Sequence, residues 1–534
     1  MSINNLRDAL LTALARLPGT REFHLHVLVS SPRKNVSIFP FAIPRPRAYL
    51  QDILILLSEQ TTPDSPRILV TAIEASVYNI ASTSSAILYI SKVDSTGQAT
   101  APSPTYCLVR AFLSYYAEPA TRPLAADRLW IQLFARAQGQ YLFPNSVEYS
   151  GKRPLSDVKL CAWWKRVFSD VAGELEERAA PGTKIKLYYI LPGYSELEAV
   201  HALKNASSLA MVAATARSPW TYGHPYSQTE IPLPCPPDTS EGKKNLGHFI
   251  PWFEDDPKSR FIDEIAYTTE GDVKSPTRKR SRTSSHGEGS YSEHDDGAQE
   301  KGGKVGKDYR PLGDLRKVTR DEFWERMSFR QECVAGAVTG FFTMVVSSPT
   351  SDAKDVSFST RSPLEPQPGQ VSSQLNKRIL ASLTTNVEFS TVERAIRGTE
   401  IIEGAIRGLC EGITSLPTTL THAAAARTSS KPREFDRRTP ERETSLQPPL
   451  LAPPSTPPPR LVQGKRVIPD VSPNPFPEPV TSLETYHSHI YGSICVSNPP
   501  LPSKGAQGAL PNSEAAAAPQ VTVLTARKKK KRAA

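Results

Sequence analysis

The stretch Ile250–Phe261, Ile-Pro-Trp-Phe-Glu-Asp-Asp-Pro-Lys-Ser-Arg-Phe, holds the densest group of chemistry-bearing side chains in the sequence. Glu254, Asp255 and Asp256 follow Trp252 and Phe253, and Lys258 and Arg260 come within reach of them. Pro257 disfavours helical backbone at Asp256, so the three acids lie on a turn. An acid desolvated by the aromatic flank is pushed toward the range of a general base, while a neighbouring cation opposes that shift. A plainer reading uses the same turn. Asp-Pro opens a helix, with the aspartate as cap and proline at the first helical position, ahead of a helical run from Ser259 to Tyr267.

A second candidate is Val93-Asp94-Ser95-Thr96-Gly97, at the end of a strand. It is followed by a polar loop and a helix from about Thr105 to Tyr116, an arrangement that suits a phosphate-bearing cofactor. An ordinary turn closed by an Asx hydrogen bond explains the same residues. Trp163 and Trp164 sit on a helix from Asp157 to about Ala172, whose apolar stripe also includes Leu160, Val167 and Val171. Adjacent tryptophans cannot share a face, so one packs inward and the other is free to line a cavity, unless both are core. Gln140–Ser146 is an aromatic-rich loop. Trp220–Pro236 is a longer one of the kind that covers a site, with His224 as an acid or base candidate. His24 and His26 alternate on a strand with no third ligand nearby, so they read as its wet side. The six cysteines lack Cys-x-x-Cys spacing, which points to reduced thiols and no metal site.

These candidates need positioning elements. Leu6, Leu10 and Leu14 recur at helical spacing within Ile3–Leu17, and Phe23, Leu25, Val27 and Val29 alternate as in a strand. Tyr49–Leu57 reads as a short apolar helix, and Arg67–Ile80 with Ala86–Val93 as a hairpin. Leu129–Phe134 and Lys184–Leu191 are further strands. Ser195 with Glu198, and Thr319 with Glu322, form capping boxes, the second opening a helix with a buried continuation over Val334–Val346. Arg378–Ile413 reads as one or two terminal helices, in which Glu393-Arg-Ala-Ile-Arg-Gly is echoed by Glu403-Gly-Ala-Ile-Arg-Gly. Strands alternating with helices predict a single α/β domain, a central mixed sheet flanked by helices.

The 534 residues are 39% apolar but include 49 prolines, so long segments outside the core are expected. The division is 1–271 for the main part of the domain, 272–310 for a disordered basic insertion, and 311–414 for the C-terminal helical part with a disordered break at 347–374. A Pro-rich tail, 415–534, ends in Arg527–Arg532. Neither a secretory leader nor a membrane span is expected, since the most apolar window, Cys333–Val346, is short of the roughly 20 residues a span needs. The net charge of +10 suits contact with nucleic acid or acidic proteins.

Val93–Gly97, Gln140–Ser146, Trp163-Trp164 and Asp255-Asp256-Pro257-Lys258 with Arg260-Phe261 together resemble the fungal regulator of Ty transposition family of histone H3 lysine acetyltransferases. The resemblance spans roughly Ile3–Tyr267 and, more loosely, Thr319–Ile413. It implies a fold similar to the CREB-binding-protein type acetyltransferases, acetyl-CoA as co-substrate without a metal, and a core-region lysine of newly made histone H3 as acceptor. It places the essential aspartate at Asp256 with Asp255 beside it, an autoacetylated lysine at Lys258, and an important tryptophan at Trp164. Its acetyl-CoA contacts fall on Val93, Asp94, Ser95, Phe134, Gln138, Arg153, Pro154, Leu155 and Trp163. The phosphate-contacting segment falls within Ala101–Thr105, at Ser103, Pro104 and Thr105, with fewer basic residues than in the family. A lysine-bearing loop carried by some members is short here, around Ala117–Ala126.

Histone H3–H4 and acidic histone chaperones follow as partners and the nucleus as location, with no need for direct nucleic-acid binding. The competing reading is a nuclear scaffold that binds nucleic acid or acidic proteins through Lys279–Arg282 and Arg527–Arg532, with Asp255–Lys258 as a structural cap. A metal-dependent hydrolase built on Asp255 and Asp256 lacks further ligands at suitable spacing.

Overall fold

The computed structural model describes residues 5–178, 180–206, 218–236, 244–267, 312–330, 337–348, 362–411 and 481–499, with a few short pieces between 461 and 479. Its centre is a ten-stranded mixed sheet. The strands are β1 (Gly19–Val29), β2 (Arg33–Asn35), β3 (Ala48–Gln60), β4 (Ile68–Ile80), β5 (Ser85–Ser95), β6 (Arg128–Ala135), β7 (Lys184–Ile190), β8 (Trp220–Tyr222), β9 (Gly340–Ser347) and β10 (Tyr491–Asn498). They lie in the order β10-β1-β3-β4-β5-β6-β9-β7-β8, with β2 paired to β3. β5–β6 and β7–β8 are parallel and the other pairs antiparallel.

Helices α1 (Leu6–Leu14), α2 (Thr105–Ala117), α3 (Asp157–Arg178) and α4 (Glu196–Ala206) contribute to the core on one face of this sheet. The leucine stripe of α1 explains its place: Leu6, Leu10 and Leu14 are buried, and Asn5 caps the helix by accepting the Asp8 N–H. Each such side chain contributes about 1.5–3 kcal/mol by leaving water. The other face is covered by α5 (Pro257–Tyr267), α6 (Arg320–Met327), α7 (Ser373–Thr385) and α8 (Val392–Glu411). The two Ala-Ile-Arg-Gly echoes both lie on α8.

Several expectations change. Tyr49–Leu57 lies in β3, a strand between two others, where burial on both faces replaces alternation with a continuous apolar run. The continuation expected after α6 contains a strand, β9, for the same reason: Phe341 to Val346 are all buried between β6 and β7. Of the break expected over 347–374, residues 349–361 lie outside the described residues and the part from 362 on is ordered. Val371 is buried and bridges to Ser30, and α7 starts at Ser373.

The tail is also corrected, because β10 pairs with β1 from Gly19↔Asn498 to His26↔Tyr491. That strand buries His24 and His26, both 1% exposed, so neither is on a wet face. Tyr491 Oη meets His24 Nδ1 and Tyr486 Oη meets His26 Nε2, each at 3.0 Å. The insertion at 272–310 and the basic runs Lys279–Arg282 and Arg527–Arg532 lie outside the described residues.

Candidate active site

The Asp-Pro turn opens a helix, as the plainer reading expects. Asp256 caps α5, its Oδ1 accepting the Lys258 N–H at 2.8 Å, with Pro257 at the first helical position. Its Oδ2 receives the Lys258 ammonium within the same turn. The Tyr89 hydroxyl of β5 lies near this carboxylate. Asp256 is 0% exposed and Lys258 3%. Burial pushes the Lys258 ammonium down and Asp256 pushes it back up. The Tyr89 hydroxyl is held well above its usual range by burial and then by Asp256.

Aromatic rings enclose the pair. Tyr89 stacks on Phe253 with centroids 3.9 Å apart, and the Lys258 ammonium lies 4.5 Å from the Phe341 centroid. Phe341 pairs with Phe134 across β9 and β6, with ring centroids 4.7 Å apart. Phe134 is therefore connected to Lys258 through one ring. Asp255 behaves differently from its neighbour: its side chain is 72% exposed, with Oδ2 3.3 Å from Lys92 Nζ.

Asp94 is a buried organiser. Its Oδ2 accepts the N–H groups of Tyr141, Leu142 and Phe143 at 2.7, 2.8 and 3.1 Å, and its Oδ1 accepts Lys152 Nζ at 2.9 Å. The Asx bond expected for this turn is replaced by a shorter one, Ser95 N–H to Asp94 Oδ1 at 2.8 Å, while the Thr96 N–H donates to the Val70 carbonyl. This carboxylate shapes the aromatic loop after β6. Gly97 fits where a side chain would not: its φ is +80° and a Cβ would stand 2.5 Å from Lys152 Cα. Arg21 supports the next segment by donating to the carbonyls of Thr100 and Pro102 at 2.7 and 2.9 Å.

That segment leads into α2. Pro104 occupies the cap position of α2 and offers no side-chain acceptor; Ser103 Oγ takes the Thr105 N–H at 3.4 Å, and the first turn keeps further N–H donors of the kind a phosphate accepts. Ser103, Gln138, Arg153, Pro154 and Leu155 are exposed, and Val93, Ser95, Thr105, Phe134 and Trp163 partly so. Asp94 and Pro104, the other two residues of the expected cofactor set, are buried.

Trp163 makes edge contacts with Tyr106 at 6.0 Å and Trp164 at 4.8 Å. Trp164 is 5% exposed and packs toward Phe168, in the core beneath α1–α3. Asp256 and Lys258 lie with Tyr89 and Phe253 on the other face of the sheet. The fold thus joins Asp255, Asp256, Lys258 and Phe134 and leaves Trp164 apart from them.

A small cleft beside Lys258 is lined by Gln132, Tyr188, His224, Tyr226 and Phe341, and its volume of about 10 Å³ holds roughly one water. His224 accepts the Tyr226 N–H at 3.2 Å and donates to Asp321 at 2.9 Å. Burial lowers its pKa and Asp321 opposes the shift. Among the described residues, no cluster of three metal-ligating side chains exists.

Tyr89, Lys92, Lys152 and Phe341 escape sequence reasoning. Tyr89 and Phe341 look like ordinary strand residues, and each lysine meets its acid only through the fold.

A mixed sheet, with an acid–lysine turn on one face and an exposed rim around the β5–α2 connection, defines a class of group-transfer domain. The family described as Histone acetyltransferase KAT11-type domain matches residues 120–404, more than half of the chain. The chain belongs to this family.

It is 32% identical over 315 residues to Histone acetyltransferase rtt109 of Aspergillus flavus, covering 54% of this chain and 46% of the relative. It is 24% identical over 271 residues to Histone acetyltransferase rtt109 of Schizosaccharomyces pombe, covering 48% of this chain and 52% of the relative. The chain thus spans about half the length of these curated relatives. The crystal structure of Rtt109 from Aspergillus fumigatus shares the fold with a TM-score of 0.53 at 24% identity, over 75% of this chain and 95% of that one.

Proposed function

We propose that the chain is a histone lysine acetyltransferase that moves the acetyl group of acetyl-CoA to a core-region lysine of newly synthesised histone H3. An acidic histone chaperone presents the histone in the nucleus, in replication-coupled chromatin assembly and the DNA damage response. The observation that carries the proposal is the Asp255-Asp256-Pro257-Lys258 turn, linked through Phe341 to Phe134 in a chain of the KAT11-type family.

In acetyl transfer the substrate amine loses a proton and its nitrogen bonds to the thioester carbonyl carbon. The C–S bond then breaks and coenzyme A leaves as the thiol. Asp255 is the carboxylate that an incoming amine can reach, and the wholly buried Asp256 fixes the turn that presents it. A chain of net charge +10 repels a basic histone, so a chaperone with acidic surfaces supplies the missing complementarity.

Thermal unfolding with and without acetyl-CoA tests the proposal. A ligand at about a hundred times its Kd stabilises the fold by about 2.7 kcal/mol. An unchanged Tm at millimolar acetyl-CoA favours the scaffold reading.

A further inference from the structure

We propose that Lys92 is a positioning residue for acyl transfer, a cationic brace that holds the Asp255 turn against β5. This inference rests on the acetyltransferase reading. β5 is irregular at this point: Glu74 pairs with Lys92 but Ala75 pairs with Ile90, so Ser91 is an extra residue on β5. A bulge of this kind re-aims the side chains around it, and such bulges concentrate beside active sites.

Here the bulge places Lys92 Nζ 3.0 Å from Glu74 Oε2 and 3.3 Å from Asp255 Oδ2. One ammonium thus joins the strand that carries Val93, Asp94 and Ser95 to the turn that carries Asp255 and Asp256. Lys92 and Glu74 are 27% and 22% exposed, so this end of the bridge is partly shielded from solvent. Asp255 is 72% exposed, which leaves it open to a substrate while tethered on one side. Without Lys92 the two carboxylates face each other with no cation between them and repel, and the turn loses its tie to β5.

The test compares the full chain as wild type, Lys92→Met and Lys92→Arg, with acetyl-CoA and histone H3–H4 as substrates. Lys92→Met is expected to lower kcat about tenfold, on the scale of a sub-ångström misalignment, with the KM for acetyl-CoA unchanged. Lys92→Arg keeps the cation and is expected to restore most of the rate. Backbone hydrogen exchange over residues 253–256, which needs no turnover, should quicken in Lys92→Met and not in Lys92→Arg.

Wild-type kcat and exchange in Lys92→Met overturn the inference while leaving the acetyltransferase reading intact. So does a loss that Arg fails to rescue and that comes with an equal rise in KM. A wild-type chain that neither binds acetyl-CoA nor labels histone overturns the reading and the positioning role together.

Discussion

Lys258 and Asp256 form a buried ion pair, with the ammonium on one carboxylate oxygen and the Lys258 backbone N–H on the other. Taking both charges out of water is costly, and the pair is tolerable only because each charge answers the other. Lys258→Met strands a buried carboxylate and is expected to cost about 3–5 kcal/mol, read as a lower midpoint in denaturant unfolding. Replacing both, with Asp256→Asn and Lys258→Met together, should cost less than the sum of the two single changes. Strict additivity would mean that the two residues are not coupled.

Lys258→Arg keeps the charge but puts a planar fork where a point charge sits. Its turnover is expected to fall while the fold survives. Wild-type turnover in this variant would remove Lys258 from the account.

The pair Asp94 and Lys152, each 5% exposed, ties the end of β5 to the loop that follows β6. Asp94→Asn keeps the shape but leaves Lys152 without its counter-ion and offers one oxygen in place of two. A rise of at least tenfold in the Kd for acetyl-CoA is expected, with faster hydrogen exchange at Tyr141–Phe143. An unchanged Kd, measured calorimetrically, would confine Asp94 to folding.

Acid should loosen the edge of the sheet. Burial lowers the pKa of His26 from 6.5 to about 4 and also lowers that of His24, where Arg67 adds to burial while Glu22 and Glu403 oppose it. Between those values the unfolded chain binds more protons than the fold, so stability is present above pH 6.5 and lost as pH falls toward 4. His26 alone accounts for about 3 kcal/mol of this loss. Exchange of the β10 amides should rise through this window in step with acid destabilisation, and His26→Gln should flatten the response. A pH-independent β10 would contradict the assignment.

The sequence made legible those features whose signal is local. The leucines of α1 and the Asp-Pro turn of α5 are read correctly because helical spacing and cap chemistry are contained within a few residues. β4 and β5 are equally plain, being β-branched runs joined by a short Ser/Thr turn. β3 and β9 are misread because a strand buried on both faces loses its period-two signature and resembles a buried helix.

β10 has a different cause. Its partner β1 lies at the opposite end of the chain, and nothing in a Pro-rich neighbourhood announces the pairing. The same distance hides the site's lysines: Lys152 is 58 residues from Asp94, and Lys92 reaches Asp255 only because β5 passes beneath the turn.

The most direct measurement is transfer of label from acetyl-CoA to histone H3–H4 by the full chain, with and without a histone chaperone, comparing wild type with Asp256→Asn. The account predicts chaperone-stimulated labelling of H3 that falls at least a hundredfold in the variant, about 2.7 kcal/mol of lost transition-state stabilisation. Equal labelling by the two proteins would contradict the central place of this turn, and no labelling in any mixture would contradict the proposed activity.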